Sequence, residues 1–72
     1  MRLMELLGVL SRREYIYLYY IDGNDKEVVL YFGEAGGTTI YPPFYGCTVL
    51  RVSHIEAGIS IEIEVKKNAE RV

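Results

Sequence analysis

The residues best equipped for chemistry lie between Gly33 and Gly46, in the stretch GEAGGTTIYPPFYG. Glycines let backbone N–H groups converge on an anion, and Thr38 and Thr39 add hydroxyl donors. A nucleotide-hydrolysing phosphate loop needs Gly-Lys-Ser/Thr at the opening of a helix. No lysine stands here, and Pro42 and Pro43 restrict the backbone that would have to start that helix. Two readings of Gly36, Gly37, Thr38 and Thr39 remain: a backbone cradle for a phosphate, or a plain wide connection between two hairpins. The second half, YPPFYG, reads as an extended, proline-stiffened segment that holds Tyr41, Phe44 and Tyr45 out for stacking. Its alternative is a lid that closes one end of the core with Phe44 tucked in.

Cations that could meet a phosphate are Arg12 and Arg13, ahead of the first strand run, and Arg51, in the middle of the third. Arg51 alternates with Leu50 and Val52 and is equally readable as a solvated strand position. His54 has no second histidine and no nucleophile arranged around it by any motif, so a general base is a poor reading. Cys47 is the only cysteine, which excludes an internal disulfide and argues against a zinc site. Glu62 and Glu64 fall on the wet side of a strand. No catalytic set emerges, and the expectation is a protein without enzymatic activity, cofactor or metal.

The elements that must position these residues follow from periodicity. Leu3, Leu6, Leu7 and Leu10 are spaced as one face of a short amphipathic helix over residues 2–11, with Arg12 and Arg13 placed to meet the negative end of its dipole. EYIYLYYI (residues 14–21) has strand composition, DGND (Asp22 to Asp25) is a hairpin turn whose Asp-Gly tolerates positive φ, and EVVLYF (27–32) is the returning strand. After the loop at 33–46, CTVLRVSHI (47–55) and ISIEIEVK (59–66) form a second pair across the tight turn at Glu56–Gly58. The last strand alternates cleanly, with Ile59, Ile61, Ile63 and Val65 toward a core. The expectation is one α+β domain: an N-terminal helix on a four-stranded, mostly antiparallel sheet.

The first strand alternates differently. Ile16, Leu18 and Tyr20 take one face, and Tyr15, Tyr17, Tyr19 and Ile21 take the other, so both faces are apolar. The second strand reads the same way, with Val28, Leu30 and Phe32 opposed to Val29 and Tyr31. A single helix covers one face at best. The seven tyrosines of this tryptophan-free chain are suited to interfaces and to stacking on bases. The cover for Tyr17 and Tyr19 is then a second copy, a partner, a ligand or the loop itself. At 72 residues the chain is marginal as a monomer, which also favours a homo-oligomer. A net charge of −2 gives no footprint for general nucleic-acid binding. The apolar start is too short for a membrane span and is interrupted by Glu5, which points to a soluble, cytoplasmic protein.

The order MELLGVL, strand, DGND, strand, and a final pair ending ISIEIEV resembles small accessory proteins of bacteriophages and prophages. The likeness is one of pattern, and this chain departs from it in the Gly33–Gly46 loop and the dense tyrosines. The resemblance implies a protein that counters host defence. Two forms of that role are expected. One is a homo-oligomer that sequesters a nucleotide-derived immune signal, with Tyr17, Tyr19, Tyr41, Phe44 and Tyr45 stacking the base and Arg12, Arg13, Arg51 and the 36–39 backbone meeting phosphates. The other is an inhibitor that presents the tyrosine face or an edge strand to a host defence protein. A structural phage component is a third class.

Overall fold

The alternation Ile59-Ser60-Ile61-Glu62-Ile63 lies at the centre of the sheet. In the computed structural model, which describes residues 1–37 and 42–65, strand β4 (Gly58–Ile63) buries Ile61 and Ile63 and leaves Glu62 half-exposed on the other face. The remaining elements are helix α1 (Leu3–Val9), strands β1 (Tyr15–Ile21), β2 (Glu27–Glu34) and β3 (Val49–Ile55), and 3-10 turns at Ala35–Gly37 and Pro42–Gly46. The strands form one sheet in the order β2-β1-β4-β3. The two hairpins, β1–β2 and β3–β4, are antiparallel, and the central pair β1–β4 is parallel. This is the expected α+β architecture. The parallel centre follows from hairpin geometry: each hairpin contributes one inner strand, and β1 and β4 run the same way.

The core sits between α1 and one face of the sheet. The parallel register sets Ile16 beside Ile59 and Leu18 beside Ile61, and Leu3 and Leu6 of α1 close over them with Ile63 and Ala35. Each fully buried branched side chain contributes about 1.5–3 kcal/mol. A seven-residue helix would not persist alone. Its start is anchored by the backbone N–H of Arg2, which donates to the Glu5 carboxylate at 2.7 Å, half of a capping box. The same segment pairs with the entry to β3. The Leu3 N–H donates to the Cys47 carbonyl at 2.9 Å, the Val49 N–H donates to the Met1 carbonyl at 2.8 Å, and Arg2 bridges Thr48.

Several local expectations are corrected. The helix ends at Val9, and Leu10 is already extended at φ −82°, ψ 150°. Gly8 and Val9 are weak helix formers, and Arg12 and Arg13 fall beyond the last turn, where they do not answer the helix dipole. In the first hairpin the positive φ belongs to Asp25 (60°), whereas Gly23 is ordinary. The turn is held by Asp22, whose Oδ1 accepts from the N–H groups of Asn24 at 2.8 Å and Lys26 at 2.9 Å. A type I turn followed by one left-handed residue is a common hairpin loop, and aspartate tolerates that conformation.

The alternation of β2 is also broken. A bulge between Leu18 and Tyr19 leaves Leu30 as the extra residue, so Tyr31 pairs with Leu18 on the core face while Phe32 pairs with Tyr17 on the opposite face. An inserted residue shifts the two-residue period by one, and Phe32 therefore lies with the tyrosines, not with Val28. The PPFYG segment is a 3-10 turn and not an extended platform. The fixed φ of proline fits that turn as well as it fits an extended chain. β4 ends at Ile63, short of the expected end, with Glu64 and Val65 beyond the strand, and residues 66 to 72 lie outside the described residues. Among those described, no helix is long and apolar enough to cross a membrane.

Candidate functional site

Two surfaces compete for the role, and the sheet separates them. Helix α1 covers the face that carries Ile16, Leu18 and Ile61. The other face carries Tyr15, Tyr17, Tyr19 and Ile21 from β1 together with Phe32 and Val29 from β2, because Tyr17 pairs with Phe32 and Tyr19 with Val29. No described element lies over it. Tyr15 keeps 46% and Phe32 55% of its area accessible, and Val29 and Ile21 are exposed beside them. The rings form one cluster: Tyr15 and Phe32 meet edge to face at 6.0 Å between centroids, Phe32 and Tyr17 at 5.9 Å, and Tyr17 and Tyr19 tilt together at 5.8 Å. Such pairs are individually worth about 0.5–1.5 kcal/mol beyond area burial, so the cluster is largely preordered before anything binds.

The Tyr17 hydroxyl donates to Glu27 Oε2 at 2.5 Å. This hydrogen bond raises the phenol above its ordinary value of 10.0; desolvation and the negative charge of Glu27 act in the same direction, as does Tyr19 to a lesser extent. The bond ties the tip of Tyr17 to the far end of β2 and fixes the ring against sliding along the strand.

Across the sheet the same face turns polar. Tyr19 is level with Glu62 in the parallel register, and Glu62 is opposite Arg51; Tyr17 is level with Ser60, which is opposite Ser53. Arg51 thus shares the open face with Tyr17 and Tyr19 but stands two strands away, about 10 Å at ordinary strand spacing.

The second surface is the loop after β2. Its aromatic half does not join the first. Phe44 and Tyr45 pack against the core cluster on the helix side, and their 3-10 turn contacts α1, which matches the lid reading. The glycine half is used internally. The Gly36 N–H donates to the Arg12 carbonyl at 2.8 Å, the Ala35 N–H donates to the Glu14 carbonyl at 2.8 Å, and Arg12 Nη2 reaches back to the Gly36 carbonyl at 3.5 Å. A Cβ on Gly36 would lie 2.8 Å from Arg12 Cβ and 3.0 Å from its carbonyl oxygen. Glycine at 36 therefore serves a close approach of two backbones, and its N–H is already satisfied. Gly37 is exposed at the end of the turn, while Thr38, Thr39 and Tyr41 lie outside the described residues. The Arg13 N–H donates to Ser11 Oγ at 3.3 Å, and its side chain is on the exposed turn into β1. His54 is exposed on edge strand β3, opposite Ile59.

No protein family, curated protein or solved structure matches this chain. No match therefore adds to what the geometry supports. The geometry brings together Tyr17 and Tyr19 and places Arg51 on their face. It sets Phe44 and Tyr45 on the other side of the sheet and ties Arg12 and Gly36 to each other. Phe32 and Tyr15 belong to the surface although neither was among the expected ligand residues. Tyr15 was already legible as part of the tyrosine row; Phe32 was hidden by the bulge, which leaves no mark in a simple period-two count.

Proposed function

We propose that this protein is a non-catalytic binding protein that engages a protein partner through the open face of β1 and β2. The observation that carries this reading is the contiguous Tyr15–Phe32–Tyr17–Tyr19 cluster on the open face of the sheet, with Tyr15 and Phe32 exposed and Tyr17 and Tyr19 half-buried. Aromatic side chains present large contact area with few rotors to order, which is why they are enriched where proteins meet. The resemblance to phage and prophage accessory proteins makes a host defence protein the candidate target. A second reading, sequestration of a nucleotide between subunits, is favoured by the same exposed ring faces. It is weakened by the separation of Phe44 and Tyr45 from Tyr17 and by the internal use of the Gly36 N–H.

The test is site-specific photocrosslinking in bacterial cells, with a photoreactive phenylalanine at position 32 or, as a control, at exposed Glu56. The expected result is a discrete adduct with one protein from position 32 and none from position 56. Equal, diffuse labelling from both positions overturns the reading. A nucleotide retained by the purified protein, recovered unchanged after heat release and lost in Tyr17→Ala, favours the second reading instead.

A further inference from the structure

We propose that the occupant of the open face is a cationic protein segment, with arginine side chains stacked on the rings of β1 and β2. This deepens the reading above and rests on it. The argument comes from which charges share the face with the rings. Glu34 pairs with Tyr15, Glu27 pairs with Ile21 and accepts the Tyr17 hydroxyl, and Glu62 stands level with Tyr19. Among the described residues this makes three carboxylates around the aromatic cluster against the one guanidinium of Arg51.

Rings and carboxylates select the same sign of charge. The face of an aromatic ring is electronegative and attracts a cation placed over it, and a nearby carboxylate adds to that attraction. Arginine fits better than lysine, because a planar guanidinium stacks on a ring while its edge N–H groups reach a carboxylate. The spacing also fits. Alternate side chains of an extended segment are about 6.8 Å apart, close to the 5.8–6.0 Å between neighbouring ring centroids. A segment with arginines at alternate positions can therefore set successive side chains on successive rings. The same charges disfavour other occupants. A phosphate would approach three carboxylates. A second copy laid face to face would oppose these carboxylates to their own equivalents, with only Arg51 to offset them.

The experiment is a titration of the isotopically labelled full chain, followed by amide chemical shifts, with four defined probes. These are a capped hexapeptide alternating glycine and arginine, its lysine and glutamate counterparts, and adenosine monophosphate. The expected result is saturable shifts confined to β1, β2 and Glu62 with the arginine peptide, weaker with lysine and absent with the glutamate peptide and the nucleotide. The double variant Tyr15→Ser, Phe32→Ser should weaken arginine-peptide binding by about 2- to 5-fold for each ring removed, with the amide spectrum otherwise unchanged. Glu62→Gln keeps the rings and should weaken binding while reducing its sensitivity to salt.

Three results would overturn the inference. The first is shifts spread over remote acids such as Glu56 and insensitive to ring removal. The second is tighter binding of the glutamate peptide or the nucleotide on this face. The third is a crosslinked partner whose contacting surface is acidic or neutral, and this one would leave the protein-binding reading intact. A crosslinking failure at position 32 alongside ring-dependent arginine binding would instead sink the cellular reading and not the chemistry of the face.

Discussion

Gly58→Ala tests the packing at the junction of the two hairpins. Gly58 opens β4 opposite Ile55, has φ +156°, and is buried. A Cβ there would run into the Tyr15 carbonyl oxygen well inside van der Waals contact, and it would also lie 3.0 Å from both the carbonyl carbon and the Cβ of Tyr15. Two independent terms follow. Holding an L-residue at a sparsely populated φ costs about 1–3 kcal/mol. Forcing a methyl group into a packed site costs about 1–3 kcal/mol more. The sum, about 2–6 kcal/mol, is comparable with the whole stability expected of a domain this size, about 4–11 kcal/mol. The obstacle is main chain, so no side-chain rotation relieves it. Urea unfolding followed by circular dichroism should show a large fall in midpoint, or no folded baseline at all. Gly23→Ala is the control, since nothing lies within 4 Å of its would-be Cβ and its φ is ordinary; it should change stability by well under about 1 kcal/mol. If Gly58→Ala unfolds within about 0.5 kcal/mol of Gly23→Ala, then β1 and β4 adjust to each other and the close parallel approach is not a constraint.

Ile61 is fully buried at the centre of the core, and Ile61→Ala should lower unfolding free energy by about 2–5 kcal/mol in the same assay; a loss below 1 kcal/mol would mean that the core collapses to fill the space. Asp22→Ala removes the acceptor of two backbone N–H groups, and thermal melts should register a loss of about 1–2 kcal/mol, with Asp22→Asn recovering part of it. In a spectrophotometric titration the Tyr17 phenol, identified by difference against Tyr17→Phe, should ionise above the ordinary tyrosine range, and Glu27→Gln should bring it back toward that range. Because the folded value is raised, the stability linked to Tyr17 is complete below the unfolded value of 10.0 and is lost as pH rises through the folded one. Unfolding midpoints of wild type and Glu27→Gln should therefore converge at high alkaline pH.

The elements were legible where one period ran unbroken. Ile59, Ile61 and Ile63 announced β4 and its buried face, the leucines of residues 3–10 announced α1, and Asp22–Asp25 announced a hairpin. Failures fell where a single residue changed the phase or a local bond overrode propensity. The bulge at Leu30 moved Phe32 to the tyrosine face, and nothing in EVVLYF marks that insertion. The Pro-Pro pair is compatible with both an extended chain and a 3-10 turn, and packing of Phe44 and Tyr45 against the core decides for the turn. The apolar tyrosine face was legible in the alternation of residues 15–21. Its carboxylate rim was not, because Glu27, Glu34 and Glu62 belong to three places in the chain and only the strand order brings them together. Gly36 reads as an anion-loop residue until the Arg12 carbonyl is seen to accept its N–H.

The parallel pairing of β1 with β4 also sets the order in which the protein can be completed. Leu18 and Ile61 are neighbours in the sheet but about 43 residues apart in the chain. The first hairpin can close on its own turn as soon as it leaves the ribosome, yet an isolated two-stranded hairpin is marginal in water. Its inner edge and its Ile16–Leu18 surface find their partner only when β4 emerges, and the segment before α1 finds Thr48 only shortly earlier. Synthesis must therefore pass β4 before either half is secure. Folding is tied to the closure of one long loop, and during that interval the inner edge of β1, seven large apolar and aromatic residues in succession from Tyr15 to Ile21, is open to any other strand nearby. For a protein whose mature surface is itself an aromatic sheet face, the period of greatest exposure to unwanted partners comes before the fold is complete.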